Sequence, residues 1–471
     1  MVSNGLAGMS MAEDPKDRFN ILRLELKNFR CFGHLTVDFD PRLTVLVGPN
    51  GCGKSSVLDA IARAFRFAQV DDELGDKNMP TRSDIRLRLA STGQMEPAGR
   101  ARIGVEASFF GYRKEWWSER SFVKERPTAS QGGASSVPEL DSPESLGINV
   151  QPGHDPDAVV YPLIAYYPTK RLWGTNDAAW LFEDQNSSQQ SGNSRLEAYR
   201  ECLASVANFR HFVEWFKRYS YEAQKELVSA IPSQHSPQRV LSAVVQAVDI
   251  VLQPSGWGRL AWDFAEDEPT AEHHLHGRMQ IRRLSDGIRT MIGLVADAAH
   301  RAARLNRFLA EEACAKTPGI ILIDEVDLHL HPEWQQVVLD GLQRAFPLVQ
   351  FVVTTHSPQV LTSIRRESIR ILAQQDQDNW SASIPDFSPL AKESGDALAY
   401  VMNVHPTPDS PILDLVHQYE KLIRAGKDKS QEASQLMEQL GAVGYQFTDA
   451  EKAQHEIWKR RAGNRQVVEH D

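Results

Sequence analysis

Four short segments of this 471-residue chain carry residue types that do phosphate chemistry. Gly48-Pro-Asn-Gly-Cys-Gly-Lys54-Ser55 satisfies the pattern GxxxxGK[ST]. In such a loop glycines let the backbone curl until successive N–H groups face phosphate oxygens, and the following helix adds its positive end. Lys54 would reach the terminal phosphates and the Ser55 hydroxyl a magnesium ion. Asn50, Gly51, Gly53, Lys54, Ser55 and Ser56 are therefore the candidate nucleotide-binding residues. Gly319-Ile-Ile-Leu-Ile-Asp324-Glu325 is an apolar run ending in two carboxylates. Asp324 suits a magnesium position and Glu325 a general base acting on water. Leu284-Ser285-Asp-Gly287 opens an amphipathic stretch with a hydroxyl and a glycine, a second candidate phosphate receptor, although a serine before a helix is also a common cap. Phe351-Val-Val-Thr-Thr355-His356-Ser-Pro358 puts a histidine at the end of an apolar run.

These groups act only if strands and helices aim them. Leu43 to Val47 is short, apolar and β-branched, and reads as a buried strand entering the glycine loop. Val57, Leu58, Ile61, Ala62 and Phe65 keep helical spacing over residues 55–67. Ile21 to Lys27 and Leu35 to Phe39 alternate as strands. The alternation Ile103, Val105, Ala107, Phe109 predicts antiparallel strands of a side sheet over 103–122. Residues 127–158, rich in Pro, Ser, Gly and Asp, read as a flexible insertion, and Val159 to Tyr167 as a buried strand. Residues 195–252 are predicted helical, with Phe209, Phe212, Trp215 and Phe216 on one face. They lack the sustained heptads of a long coiled coil, so a compact helical projection is expected. Short strands are predicted at Arg259 to Phe264, Arg278 to Arg282 and Ser368 to Ala373. Helices follow around 396–404, 412–425 and 431–440.

Together the four motifs resemble those of ABC-type ATPase heads of the SMC and RecF class, over about Phe19 to Ala373, and Asn28-Phe29-Arg30 resembles that class's first-strand motif. A closer likeness lies in Ala165-Tyr-Tyr-Pro-Thr-Lys-Arg171-Leu-Trp, Leu284-Ser-Asp-Gly-Ile-Arg-Thr, Asp324-Glu-Val-Asp-Leu-His-Leu-His-Pro332 and Thr354-Thr-His-Ser-Pro-Gln-Val-Leu361. It is similar to the PtuA ATPases of Septu and retron-associated anti-phage systems. The resemblance implies an α/β fold: a P-loop head with a mixed sheet and flanking helices, a helical insertion and a C-terminal helical domain. It implies ATP and Mg2+ as ligands, and a homodimer, or a higher oligomer, in which Ser285 and Gly287 complete the partner's nucleotide site. Asp327 would carry cross-talk between sites and His356 would contact the γ-phosphate. It also implies an HNH nuclease partner and, in a retron setting, a reverse transcriptase with its DNA–RNA product. No Q-loop glutamine is assignable. The expected layout is a leader at 1–18, an N-terminal lobe at 19–170, the projection with linking strands at 171–282, a C-terminal lobe at 283–375 and a helical docking tail at 390–471. The alternative is a RecF-like repair clamp acting directly on DNA.

Composition bounds these readings. Hydrophobic residues make up 41% and charged residues 24%, as in ordinary globular chains. A net charge of −10 disfavours indiscriminate coating of nucleic acid while leaving room for a local DNA contact. No run of apolar residues is long enough to span a bilayer, and the first 18 residues lack a signal-peptide core, so a cytoplasmic location with no membrane contact is expected. The four cysteines form no CxxC pair and read as reduced thiols. His273, His274 and His276 read as a solvated hairpin more readily than a metal cluster. Asp376-Gln-Asp378 matches a nuclease DxD but reads as a hairpin turn. Nuclease chemistry is therefore placed outside this chain.

Overall fold

The computed structural model describes residues 18–68, 80–91, 93–121, 131–134, 159–169, 194–204, 209–229, 236–404 and 410–468. The expected leader, apart from Arg18, the greater part of the 127–158 insertion, and Lys170 to Trp173 lie outside the described residues.

In chain order the strands are β1 (Phe19–Phe29), β2 (Phe32–Asp38), β3 (Leu43–Val47), β4 (Leu87–Leu89), β5 (Met95–Pro97), β6 (Arg100–Phe109), β7 (Tyr112–Ser121), β8 (Gln131–Ala134), β9 (Leu163–Tyr167), β10 (Trp257–Asp263), β11 (Glu268–His273), β12 (Gly277–Gln280), β13 (Gly319–Ile323), β14 (Val349–Thr354), β15 (Ile369–Gln374) and β16 (Trp380–Ser383). The helices are α1 (Lys54–Ala64), α2 (Arg210–Ser229), α3 (Pro237–Leu252), α4 (Asp286–Leu305), α5 (Ala313–Lys316), α6 (Pro332–Gln335), α7 (Val338–Ala345), α8 (Pro358–Leu361), α9 (Ser394–Tyr400), α10 (Pro411–Arg424), α11 (Gln431–Ala442) and α12 (Asp449–Val468).

The central sheet runs β16-β15-β3-β14-β13-β9, parallel from β15 to β9 with β16 antiparallel at one edge. Its apolar strands are covered on both faces, as a parallel sheet requires. Val45, Ile321, Ile323, Phe351 and Val353 face one core, while Leu46, Ile320, Leu322 and Val352 face the other. Each such side chain stabilises the sheet by about 1.5–3 kcal/mol. Helix α1 and the antiparallel sheet β2-β1-β6-β7-β8 share the second core; α3, α4 and α7 share the first.

Three expectations are corrected. The 195–252 segment does not project: Val240, Val244, Ala247, Val248 and Val251 of α3 and Phe212, Trp215 and Phe216 of α2 are buried in the same core as α4. The aromatic face on α2 is a packing face. A strand between the two expected near 259 and 278, β11, also completes a three-stranded sheet. Its Pro269 and short length hid it from pattern reading. The tail begins later than residue 390, because α9 places Ala397 and Val401 in the main core, and the chain divides after Val404. In the second unit, Val416 and Ile423 of α10, Ala433, Leu436 and Leu440 of α11 and His455 of α12 are buried. Part of the apolar surface of the tail helices is thus buried within its own small unit.

Candidate functional site

The phosphate loop is shaped by glycines where no other residue fits. Gly53 is the N-cap of α1 with φ +89°, and a Cβ there would collide with the Phe32 ring and the Cys31 sulfur. Gly51 also has positive φ, with open space where a Cβ would stand. That combination is a cradle: left-handed turns expose backbone N–H groups toward an open volume. Lys54 begins α1 and is only 7% exposed; its Nζ donates to the carbonyl oxygens of Gly48 at 2.9 Å and Pro49 at 3.2 Å. Burial lowers its pKa from the ordinary lysine value, with Cys52 and then Asp324, Glu325 and Asp327 opposing that effect. Burial likewise pushes the Cys52 thiol up, so it is a packed thiol and not a helix-stabilised thiolate.

Strand order brings the acidic pair to this loop. Because β14 lies between β3 and β13, its C-terminal end stands between the phosphate loop and Asp324-Glu325. Three hydroxyl-bearing residues there, Thr354, Thr355 and Ser357, clamp the segment that follows β13. The Thr354 hydroxyl donates to Asp324 Oδ1 at 2.6 Å and accepts the Glu325 N–H at 2.7 Å. Thr355 donates to Asp327 Oδ1 at 2.6 Å, and Ser357 donates to Gln335 Oε1 at 2.8 Å. Glu325 itself sits at φ +49°, a left-handed conformation that costs a non-glycine residue about 1–3 kcal/mol and is tolerated where the surroundings fix it. The clamped turn aims its carboxylate into the site.

A cavity of about 360 Å³ is lined by Asn50, Gly51, Gly53, Lys54, Ser55, Ser56, Asp324, Glu325 and His356, together with Arg30, Cys31 and Thr354. His356 is half-buried, and burial, then the Lys54 charge, lowers its pKa, which favours the neutral imidazole. The oxygen donors Ser55 and Asp324 fit magnesium, which takes one or two protein oxygens plus phosphate oxygens. Among the described residues no cluster of three or more His, Cys, Asp or Glu could hold a metal alone; water and phosphate oxygens would complete the coordination.

Three expected residues lie elsewhere. Ser285 caps α4 but its hydroxyl makes no cap bond, and it is exposed. Gly287 is buried where a Cβ would overlap the His329 carbonyl oxygen. Asp327 is held by Thr355 outside the cavity lining. Sequence reasoning passed over Arg30 as a site residue. Asn28, near the end of β1, and Arg30, in the β1–β2 turn, both have positive φ, and the Arg30 guanidinium reaches Asp59 of α1 and Asp84, the latter 2.9 Å from Arg30 Nε. Burial works against its charge, yet these two carboxylates more than offset it. The signal was present in Asn28-Phe29-Arg30, but its partners are distant in sequence.

The DxD lies in the β15–β16 turn. Asp376 Oδ1 accepts the N–H groups of Asp378 and Asn379 at 2.9 and 2.7 Å, and Asp378 pairs with Arg86. His273 Nδ1 accepts the N–H of Leu275 at 3.1 Å and that of His276 at 3.3 Å, closing the β11–β12 turn.

A glycine loop between a buried parallel strand and a helix, facing an acidic pair on the next strand but one, defines a P-loop ATPase head. The chain belongs to the family described as "AAA domain, putative AbiEii toxin, Type IV TA system", whose model matches residues 43–362. It is similar to "Retron Vc95 probable ATPase" of Vibrio cholerae, 26% identical, covering 89% of this chain and 86% of that protein. It is also similar to "Septu protein PtuA" of Bacillus mycoides, 25% identical over 77% of this chain and 41% of that protein. Among solved structures, the SMC head domain from Thermotoga maritima aligns with a TM-score of 0.41 at 16% identity, covering 78% of this chain and 99% of that one. Among the described residues no helix is long and apolar enough to cross a membrane.

Proposed function

We propose that the chain binds and hydrolyses ATP as the regulatory subunit of an anti-phage defence complex, its ATP-dependent dimer controlling a separately encoded HNH nuclease. The observation that carries the reading is one cavity lined by Lys54, Ser55, Asp324, Glu325 and His356. The retron and Septu names of similar proteins support the defence setting.

In this mechanism the loop N–H groups and Lys54 hold the phosphates. Ser55 and Asp324 would hold Mg2+, which neutralises charge on the phosphate oxygens. Glu325 takes a proton from water as the water oxygen attacks the γ-phosphorus; the bond from that phosphorus to the bridging oxygen breaks, giving ADP and phosphate. Neutral His356 donates a hydrogen bond to the γ-phosphate. Ser285 and Gly287 of each protomer close the nucleotide site of the other, and Asp327 sits between the two sites. The cleavage chemistry belongs to the partner, since Asp376 is spent on its own turn and Asp378 on Arg86. The C-terminal helices dock that partner; Met437, Val443 and Ile457 remain exposed on them.

Glu325→Gln tests the reading, by keeping ATP affinity, slowing hydrolysis by about 10²–10⁴-fold and accumulating a closed dimer in size-exclusion chromatography with light scattering. Unchanged hydrolysis in that variant would remove Glu325 from the chemistry. Co-purification of an HNH nuclease encoded beside this chain tests the partner, and loss of retention on deleting residues 411–471 tests the docking unit. Tight DNA binding with no protein partner favours the repair-clamp alternative.

A further inference from the structure

Asp324 is gripped from a second side. Residue Thr169, two positions past the end of β9, donates from Oγ1 to Asp324 Oδ2 at 2.8 Å, while Thr354 serves Oδ1 from the end of β14. β9 is the direct neighbour of β13 in the sheet, and the Asp324 N–H donates to the Tyr167 carbonyl at 2.9 Å. So β9, which leads into Thr169, and β13, which leads into Asp324, are paired up to the residue that bears the carboxylate.

The same strand end is tied to α4. The fully buried Tyr167 hydroxyl donates to Asp297 Oδ2 of α4 at 2.8 Å. Asp297 Oδ2 also accepts Arg301 Nε at 2.8 Å, and Arg301 donates onward to the carbonyls of Ala198 and Arg200. A neutral phenol, a carboxylate and a guanidinium closed off from water form a stiff unit, because each broken bond would leave a buried polar group unsatisfied.

We propose that Thr169 is a positioning residue for the magnesium carboxylate, and that Tyr167 anchors it to α4, so that metal affinity in one protomer depends on the seating of its own α4. The inference rests on the cavity being an ATP·Mg2+ site. A hydroxyl donated to each carboxylate oxygen restrains the plane of the carboxylate at the edge of the cavity that Asp324 lines. Partners of this kind govern metal affinity by about 10–100-fold. A threonine that merely ended a strand would have no effect on metal affinity.

The experiment uses the full chain and titrates ATP by calorimetry, first in EDTA and then at rising Mg2+, with Mn2+ binding followed by electron paramagnetic resonance as a readout independent of turnover. Thr169→Val should keep metal-free ATP affinity within about twofold and raise the Mg2+ concentration for half-saturation by about 10–100-fold. Thr169→Ser, which retains the hydroxyl, should restore most of that affinity. Tyr167→Phe should shift Mg2+ dependence in the same direction by a smaller factor. Unchanged metal dependence in Thr169→Val, or a tenfold loss in Thr169→Ser, overturns the positioning role, and unchanged dependence in Tyr167→Phe overturns the anchor. Should Thr169→Val fail to fold, Thr169→Ser and Tyr167→Phe still decide the matter by these outcomes. Metal-free ATP binding that survives in Lys54→Ala would instead indict the nucleotide site, which separates the two failures.

Discussion

Helices α1 and α4 begin with the same physical offer, unbonded N–H groups at the positive end of a helix, in opposite settings. The start of α1 has its charges supplied by its own chain: Lys54 is buried, and the acidic pair and His356 line the same cavity. The start of α4 is open: Ser285 and Asp286 are exposed, and the serine hydroxyl caps nothing. A phosphate receptor completed within one chain needs a lysine; one presented outward can leave charge compensation to the chain it meets. The difference teaches that half of the proposed chemistry is displayed on the surface.

The sharpest break of this contrast is Lys54→Ala, which should lower ATP affinity by at least about 100-fold, as loss of a desolvated charge-assisted contact does; equal affinity in calorimetry would sink the nucleotide assignment. Ser285→Arg should leave ATP affinity within about twofold yet cut hydrolysis by about tenfold or more, because the defect would appear only on dimerisation. Unaltered turnover in that variant would mean that α4 serves no nucleotide. Gly287→Ala should destabilise the head by about 1–3 kcal/mol through overpacking, read in urea unfolding, since the His329 carbonyl cannot retreat freely from the new methyl.

A pH effect sharpens the comparison from inside α4. His300 is fully buried, and burial first, then the Arg301 and Arg304 charges, hold its pKa well below 6.5. The unfolded chain therefore binds the proton more readily, so stability is fully present above pH 6.5 and declines as pH falls below it. His300→Leu should flatten the fall in melting temperature between pH 6.5 and 5, and an unchanged slope would assign it to other groups. The smallest expected effect is on ATP affinity after deletion of residues 405–471, which should be nil; loss of binding would show that the second unit supports the head.

What could be read beforehand follows from how local each signal is. The phosphate loop, the carboxylates after β13 and the strands β3 and β14 declared themselves because strand, turn and chemistry are contiguous in the sequence. The grips of Thr354 and Thr169 on Asp324 escaped, since a hydroxyl in a strand end has no pattern until the sheet order is known. Arg30 escaped for the same reason, with Asp59 and Asp84 supplied by other elements. The supposed projection failed because apolar faces on α2 and α3 reveal burial but not the surface that receives it. In the tail, Val416, Ile423, Leu436 and Leu440 are buried within their own unit, and periodicity alone cannot distinguish such a core from an interface.

The close seating of Gly287 on His329 has a kinetic meaning. With no room for even a methyl group between the start of α4 and the loop that follows Glu325, neither segment can slide past the other without breaking van der Waals contact. They must rotate together. Spectroscopic labels at Ser285 and at the exposed His331 would therefore relax with one shared rate constant when nucleotide is added, whereas labels on two independently hinged loops would give two.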